Sequence, residues 1–183
     1  MRKDDIQRGR KLSLLLRHKP HLLNLTMDDE GWINIDDIMS AWSRKNWRPL
    51  LSENELIRVV EENDKKRYTL DLANRRIRAR QGHSVEVDLG LEPVEPPNKL
   101  FHGTVLKFLD DISVNGLKKI SRQHVHLSKD LKTATKVGQR RGKPIILTVE
   151  SGRMHEAGYK FYMSENGVWL TDEVPADFIE IPQ

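Results

Sequence analysis

Leu100-Phe101-His102-Gly103-Thr104 opens the second half of the chain, directly after the Pro-rich run Glu92-Pro93-Val94-Glu95-Pro96-Pro97. Two apolar residues read as the end of a strand, His102 supplies a hydrogen-bonding ring, and Gly103, with no side chain, lets a ligand approach the backbone closely. Thr104 is placed to cap a following helix. Two further segments come in order, His124-Val125-His126-Leu127-Ser128 and Asn166-Gly167-Val168-Trp169-Leu170-Thr171, each a short apolar-polar strand ending in small polar residues. The Pro-rich run in front of them reads as a linker, so residues 1–96 and 97–183 are expected to form two lobes.

At 183 residues, with 37% hydrophobic and 32% charged side chains, the chain can bury a sizeable core. No apolar run is long enough to cross a bilayer, and the start Met1-Arg2-Lys3-Asp4-Asp5 has no secretory character. The absence of Cys excludes disulfides, thiolate metal sites and a Cys nucleophile. The expectation is a cytoplasmic protein with no membrane association and no obligate protein partner.

The net charge of +4 is modest, but its distribution is uneven. Lys65, Lys66, Arg67, Arg75, Arg76, Arg78 and Arg80 stand against Asp71 alone, and the cluster Arg8, Arg10, Lys11, Arg17 and Lys19 holds no acid. Both lie in the first half, and such acid-poor clusters favour a polyanionic partner.

From about Asp4 to His18 the apolar positions Ile6, Leu12, Leu15 and Leu16 predict one face of a helix, which Pro20 stops. Arg17 and His18 then sit in its last turn, where cations complement the helix dipole. Asp29-Glu30-Gly31 reads as a turn, Trp32 to Ile35 as a short strand, and Asp36 to Lys45 as a second helix. Pro49 and the capping box Ser52/Glu55 start a third, with Leu56, Ile57, Val59 and Val60 facing inward before Asn63-Asp64 ends it. Arg67 to Leu70 and Arg76 to Ala79 alternate at period two and predict a hairpin. Helices followed by a hairpin suggest a winged-helix lobe, for which Trp32 reads as core.

Beyond the Pro-rich run, Val105 to Val114 reads as a short helix closed by Asn115-Gly116. His124 to Leu127 is a strand, Ser128 caps a helix through about Lys136, and Gly138 to Gly142 forms a basic loop. Pro144 to Val149 suits a buried strand, Asn166-Gly167 a hairpin turn, and Phe178 to Ile181 a terminal strand. The second lobe is therefore strand-rich and the whole chain α+β.

Taken together, the sequence resembles the KptA family of NAD-dependent RNA 2′-phosphotransferases. The resemblance rests on Leu14-Leu15-Leu16-Arg17-His18-Lys19-Pro20, Glu30-Gly31-Trp32, Asp64-Lys65-Lys66-Arg67-Tyr68, Gln81-Gly82-His83-Ser84, Phe101-His102-Gly103-Thr104, His124 to Ser128, Val137-Gly138-Gln139-Arg140 and Asn166 to Thr171. It implies an essential set at Arg17, His18, Arg67 and Arg140, with Arg141 as the neighbouring alternative to Arg140. It also implies that Arg17, His18, Lys65, Lys66 and Arg67 meet RNA phosphate.

The second half resembles the NAD-binding lobe of the ADP-ribosyltransferase superfamily. That resemblance implies an NAD site at His102, Gly103, Thr104, His126, Ser128 and Val168. The superfamily's His-Tyr-Glu triad falls on His102, His126 and Val168, so the Glu is missing.

The chemistry the family implies starts from an internal 2′-phosphate on RNA, of the kind left on spliced transfer RNA. That phosphate attacks the anomeric carbon of the nicotinamide ribose and expels nicotinamide. The ribose 2″-hydroxyl then attacks the phosphorus, giving 2′-hydroxyl RNA and ADP-ribose 1″,2″-cyclic phosphate. A phosphate monoester with a second pKa near 6 is already largely dianionic at neutral pH, so no strong base is required, which rationalises the missing Glu. Fixed positive charge is required instead, and arginine supplies it in a bidentate fork. Arginine neutralisation also leaves no need for a metal. Both lobes are expected to contribute to this chemistry. Two alternatives come from other classes: a non-catalytic RNA-binding protein, and an NAD-dependent ADP-ribosyltransferase acting on other phosphorylated ends or on protein. Intact Arg and His positions argue against the first, and the missing Glu against modification of protein.

Overall fold

The computed structural model describes residues 2–182 and divides into two units, one through Gly90 and one from Leu91 onward. In the first unit, helix α1 (Lys3–Arg17) carries Asp4 and Asp5 in its first turn and Arg17 in its last, charges that suit its dipole. Leu12, Leu15 and Leu16 on its inner face are fully buried. Ile6, expected on that face, is 38% exposed. Arg8 turns inward instead, its guanidinium reaching Leu50 O at 2.6 Å, Asp5 at 2.9 Å and Glu55 at 3.0 Å. A buried cation needs such partners, so the basic cluster on α1 is smaller than its composition suggests. Lys11 is occupied as well: its amine donates to Arg48 O at 2.6 Å and lies 5.0 Å from the Trp47 ring centroid.

Strand β1 (Ile33–Asn34) leads into α2 (Ile35–Arg44), whose first amides at Asp36 and Asp37 donate to the Asn34 side chain at 2.8 and 3.3 Å. Helix α3 (Glu53–Glu61) begins with the expected capping box, Ser52 N donating to Glu55 Oε2 at 2.7 Å. It buries Leu56 and Val59, while Ile57 and Val60 are half-buried. Strands β2 (Tyr68–Asp71) and β3 (Arg76–Ala79) form the expected hairpin, and β1 adds to β3 through Ile33↔Ile77, giving the antiparallel order β1-β3-β2. Ile77 and Ala79 point into a core shared with α1, α2 and α3, and Arg76 and Arg78 occupy the alternate positions.

The second unit starts with the Pro-rich run, which is held there: Val94 N donates to Phe161 O at 2.8 Å, and Ser151 Oγ to Pro97 O at 2.6 Å. Strand β4 (Leu100–Val105) contains the whole Leu-Phe-His-Gly-Thr stretch rather than ending within it. After a 3-10 turn come α4 (Leu109–Asn115) and β5 (Leu117–Lys118), with Gly116 between them at φ +71°. Then follow β6 (Val125–Leu127), α5 (Leu131–Gly138), β7 (Pro144–Val149), α6 (Ser151–Glu156), β8 (Phe161–Met163), β9 (Trp169–Thr171), β10 (Glu173–Val174) and β11 (Ile179–Glu180). The sheets are β11-β7-β4, β6-β9-β8 and the pair β10-β5, all antiparallel. Phe101 and Ser128 exchange backbone hydrogen bonds at 2.9 and 2.8 Å, which joins β4 to the residue following β6.

Two residues expected to cap helices take other places. Thr104 does not cap a helix: it is buried within β4, and α4 begins without a side-chain cap. Ser128 does not cap α5, because its backbone is engaged with Phe101; Asp130 does so, accepting from Thr133 N at 2.8 Å. Gly103 is required by packing, since a Cβ there would lie 2.0 Å from Ala134 O of α5. The basic Gly138–Gly142 segment is also more ordered than a loop, with α5 running into a 3-10 turn over Gln139–Arg141.

Candidate functional site

In the first unit the candidate residues gather at the C-terminal end of α1. Arg17 is the last helical residue and His18 the C-cap, whose amide still reaches Leu14 O. The segment Gly82 to Val85 docks on this end. Ser84 N and Val85 N donate to Arg17 O at 2.8 and 3.3 Å, and Ser84 Oγ lies 2.9 Å from His18 Nδ1. The orphan carbonyl that every helix end carries is thus satisfied, and His18 is held at one ring nitrogen. A Cβ on Gly82 would stand 3.7 Å from the Arg17 guanidinium, at a φ of +86° that glycine adopts without strain.

Arg67 directly precedes β2 and is oriented from α3's end, where Asn63 Oδ1 accepts both its amide and its Nη1 at 3.2 Å. Asn63 is itself 2% exposed, so this anchor is firm. Tyr68, next in sequence, donates its hydroxyl to Gly9 O at 2.6 Å and meets Ser13 Oγ at 2.7 Å. Burial pushes the Tyr68 phenol up, while Ser13, Arg17 and Arg67 pull it back, so both arginines lie within electrostatic reach of one ring. Arg17 and His18 thus share one helix end, and Arg67 carries its charge within electrostatic reach of the same Tyr68 ring as Arg17. Lys65 and Lys66 are exposed beside them, Lys66 with its amine on Glu61 O at 3.0 Å.

His83, which the sequence offers only as part of the Gln81-Gly82-His83-Ser84 motif at the end of the wing, is 1% exposed beneath the same helix end. Burial first, then the neighbouring charges of Arg17, His18 and Arg78, push its pKa down from 6.5 to about 4, so the ring is neutral at physiological pH. Its presence in the Gln81-Gly82-His83-Ser84 motif was the available signal.

In the second unit, His102 and His126 are placed by neighbouring strands. His102 Nδ1 lies 3.0 Å from His126 O, and His126 Nδ1 lies 3.0 Å from His124 O. A carbonyl only accepts, so Nδ1 carries a proton in both rings. Burial lowers the His102 pKa, the bond to His126 O opposes that, and Arg141 adds to it. Ser128 is brought alongside by its exchange with Phe101. Val168 follows the Gly167 turn, its amide donating to Ser164 Oγ at 3.0 Å, one residue before the Leu127↔Trp169 pair. Arg140 and Arg141 are both exposed in the 3-10 turn after α5. Arg141 lies 5.8 Å from the Phe108 ring centroid, and both arginines, after desolvation, help to lower the pKa of Arg122. Arg140 and Arg141 thus act electrostatically on Arg122, and Arg141 on His102 as well.

Among the described residues no helix is long and apolar enough to cross a membrane. The family model described as RNA 2′-phosphotransferase, Tpt1 / KptA family matches residues 3–173. The chain is 53% identical over 169 residues to a protein of Flavobacterium johnsoniae named "Probable RNA 2′-phosphotransferase", covering 92% of each. It is 51% identical over 170 residues to one of that name in Agrobacterium fabrum, covering 93% of this chain and 90% of the relative. A third, from Fusobacterium nucleatum, is 49% identical over 178 residues, with 97% and 98% covered.

Proposed function

Because the chain belongs to the RNA 2′-phosphotransferase, Tpt1/KptA family, we propose that it removes an internal 2′-phosphate from RNA, of the spliced-tRNA type, with NAD consumed as co-substrate and no metal. In this reading the first unit is a winged-helix lobe that takes the RNA phosphate. The second is an ADP-ribosyltransferase-like lobe that takes NAD, and the protein works in the cytoplasm. The observation that carries the proposal is the end of α1, where Arg17 and His18 sit side by side with Ser84 fastened to both, together with Arg67 held by Asn63 in the same unit.

Each side chain has a task that its environment suits. Arg17 and Arg67 grip the dianionic 2′-phosphate, since guanidinium forks pair two oxygens at once. His18, fixed at Nδ1 by Ser84, stands next to Arg17 at the helix end that takes the same group. NAD supplies an electrophilic anomeric carbon with nicotinamide as leaving group. His102 fits a ribose, because it keeps an Nε2 acceptor for a hydroxyl while its Nδ1 proton is committed to the His126 carbonyl. The lowered pKa of His102 keeps that ring uncharged next to the cationic nicotinamide. Arg140 or its neighbour Arg141 supplies positive charge when the phosphorus is attacked in the second step. Nicotinamide release that depends on a 2′-phosphorylated oligonucleotide, and is absent with the 2′-hydroxyl control, is the expected result. Release indifferent to the 2′-phosphate would overturn the proposal.

A further inference from the structure

His83 is the residue whose surroundings the activity does not yet explain. It is 1% exposed, and neither ring nitrogen meets a hydrogen-bond partner among the described residues. Leaving a buried polar ring in that state is costly, and such groups in folded proteins commonly mark a functional constraint. The ring is enclosed on one side by backbone: a Cβ on Gly31, which sits at φ +83°, would approach Nε2 to 3.5 Å. The groups facing it are all cationic or able to become so, namely Arg17 and His18 from α1 and Arg78 from β3. Its chain neighbours on both sides are fastened to the Arg17–His18 end, Gly82 against the guanidinium and Ser84 through the hydrogen bonds described above.

The choice of residue type is informative. A carboxylate in this place would pair with Arg17 and compete with any phosphate for it. An aliphatic side chain would fill the space without any polar atom to direct a guanidinium. A neutral imidazole does neither: it has one lone pair to accept an N–H, and no charge to cancel.

We propose that His83 is a positioning residue, accepting an N–H from the Arg17 guanidinium as that group takes up the 2′-phosphate and so holding it in its gripping orientation. This rests on the reading of Arg17 as a phosphate-binding residue. The planar fork of an arginine carries five N–H groups and a bidentate phosphate contact uses two, so the phosphate alone does not exhaust it. A second acceptor on the protein side fixes the plane of the fork, as preorganised binding requires.

Equilibrium binding of a 2′-phosphorylated oligonucleotide and its 2′-hydroxyl counterpart, read by fluorescence anisotropy, separates this proposal from the reading beneath it. Wild type is expected to prefer the phosphorylated RNA. His83→Phe, which keeps the ring shape without polar atoms, is expected to lose about tenfold or more of that preference, the worth of a hydrogen bond to a charged group. Its affinity for the 2′-hydroxyl RNA and its thermal midpoint should not fall. His83→Gln, a neutral acceptor of similar reach, should restore most of the preference. Full preference in a folded His83→Phe overturns the role of His83, whereas no preference in wild type overturns the assignment of the phosphate site itself. A measurement independent of substitution uses ¹⁵N-histidine NMR of the wild-type chain. The phosphorylated oligonucleotide is expected to move the His83 acceptor nitrogen upfield and the 2′-hydroxyl control is not; an unmoved ring counts against the proposal even if His83→Phe misfolds.

Discussion

Buried neutral beside two cations, His83 makes stability depend on pH in a way that can be worked out in advance. In the unfolded chain the ring titrates near 6.5, and in the folded protein near 4, because burial and then Arg17, His18 and Arg78 disfavour its charged form. Between those values the unfolded chain binds the extra proton and the folded one does not, so stability falls as pH is lowered through this window. The contribution is intact above about pH 6.5 and fully lost below about pH 4. A shift of roughly 2.5 units at 1.36 kcal/mol each amounts to about 3 kcal/mol. That is a large share of the stability of a small domain. The assay is urea denaturation at several pH values between 7.5 and 4, followed by tryptophan fluorescence, for wild type and His83→Phe. Trp32, Trp42 and Trp47 report on the first unit and Trp169 on the second. His102 and His124 are also lowered by burial and destabilise in the same direction on acidification, but they are common to both proteins and cancel in the difference. Wild type should therefore lose about 3 kcal/mol relative to His83→Phe as pH falls from 6.5 to 4. A difference that stays flat across that window would falsify the assignment of a buried, neutral ring.

Gly103→Ala should destabilise the second unit by about 3 kcal/mol or more, because its methyl would meet the backbone at Ala134 rather than a side chain able to move aside; an unchanged thermal midpoint refutes this. Arg67→Ala and Arg140→Ala should slow the second chemical step by about 10²–10³ while sparing nicotinamide release, so RNA carrying ADP-ribose on its 2′-phosphate accumulates in single turnover. Decay of product and nicotinamide together, with no such species on the gel, contradicts that division of labour. Arg17→Ala should instead slow both steps, and lysine at Arg67 should recover only part of the rate, since a point charge cannot reproduce a bidentate fork. A chelator should leave single-turnover rates untouched, and loss of activity restored by magnesium would show that arginine neutralisation is not sufficient.

What could be read in advance was what depends on neighbours a few residues apart. The Ser52/Glu55 capping box, the Arg17-His18 helix end, the β2–β3 hairpin and the Asn166-Gly167 turn are set by contacts within one turn or one pair of strands. Other residues answer to partners far along the chain. Gly103 is dictated by α5 crossing over it, and Arg8 is drawn inward by Glu55, 47 residues on. Thr104 and Ser128 looked like caps by type, but their backbones were already committed to β4 and to Phe101. At the candidate site, Arg17, His18 and Arg67 were legible from residue type and motif. The role of the His83-Ser84 segment was not, because Ser84 meets His18 across 66 residues of sequence. Burial, which sets the charge state of His83 and His102, exists only once those distant segments have packed.

The most direct test of the account incubates the purified protein with NAD and an oligonucleotide carrying one internal 2′-phosphate, and identifies both products by mass. The account predicts RNA lighter by one phosphate, together with free nicotinamide and ADP-ribose 1″,2″-cyclic phosphate, in equal amounts. RNA that keeps its phosphate while NAD is cleaved, or RNA that loses it as inorganic phosphate without any NAD consumed, would contradict it.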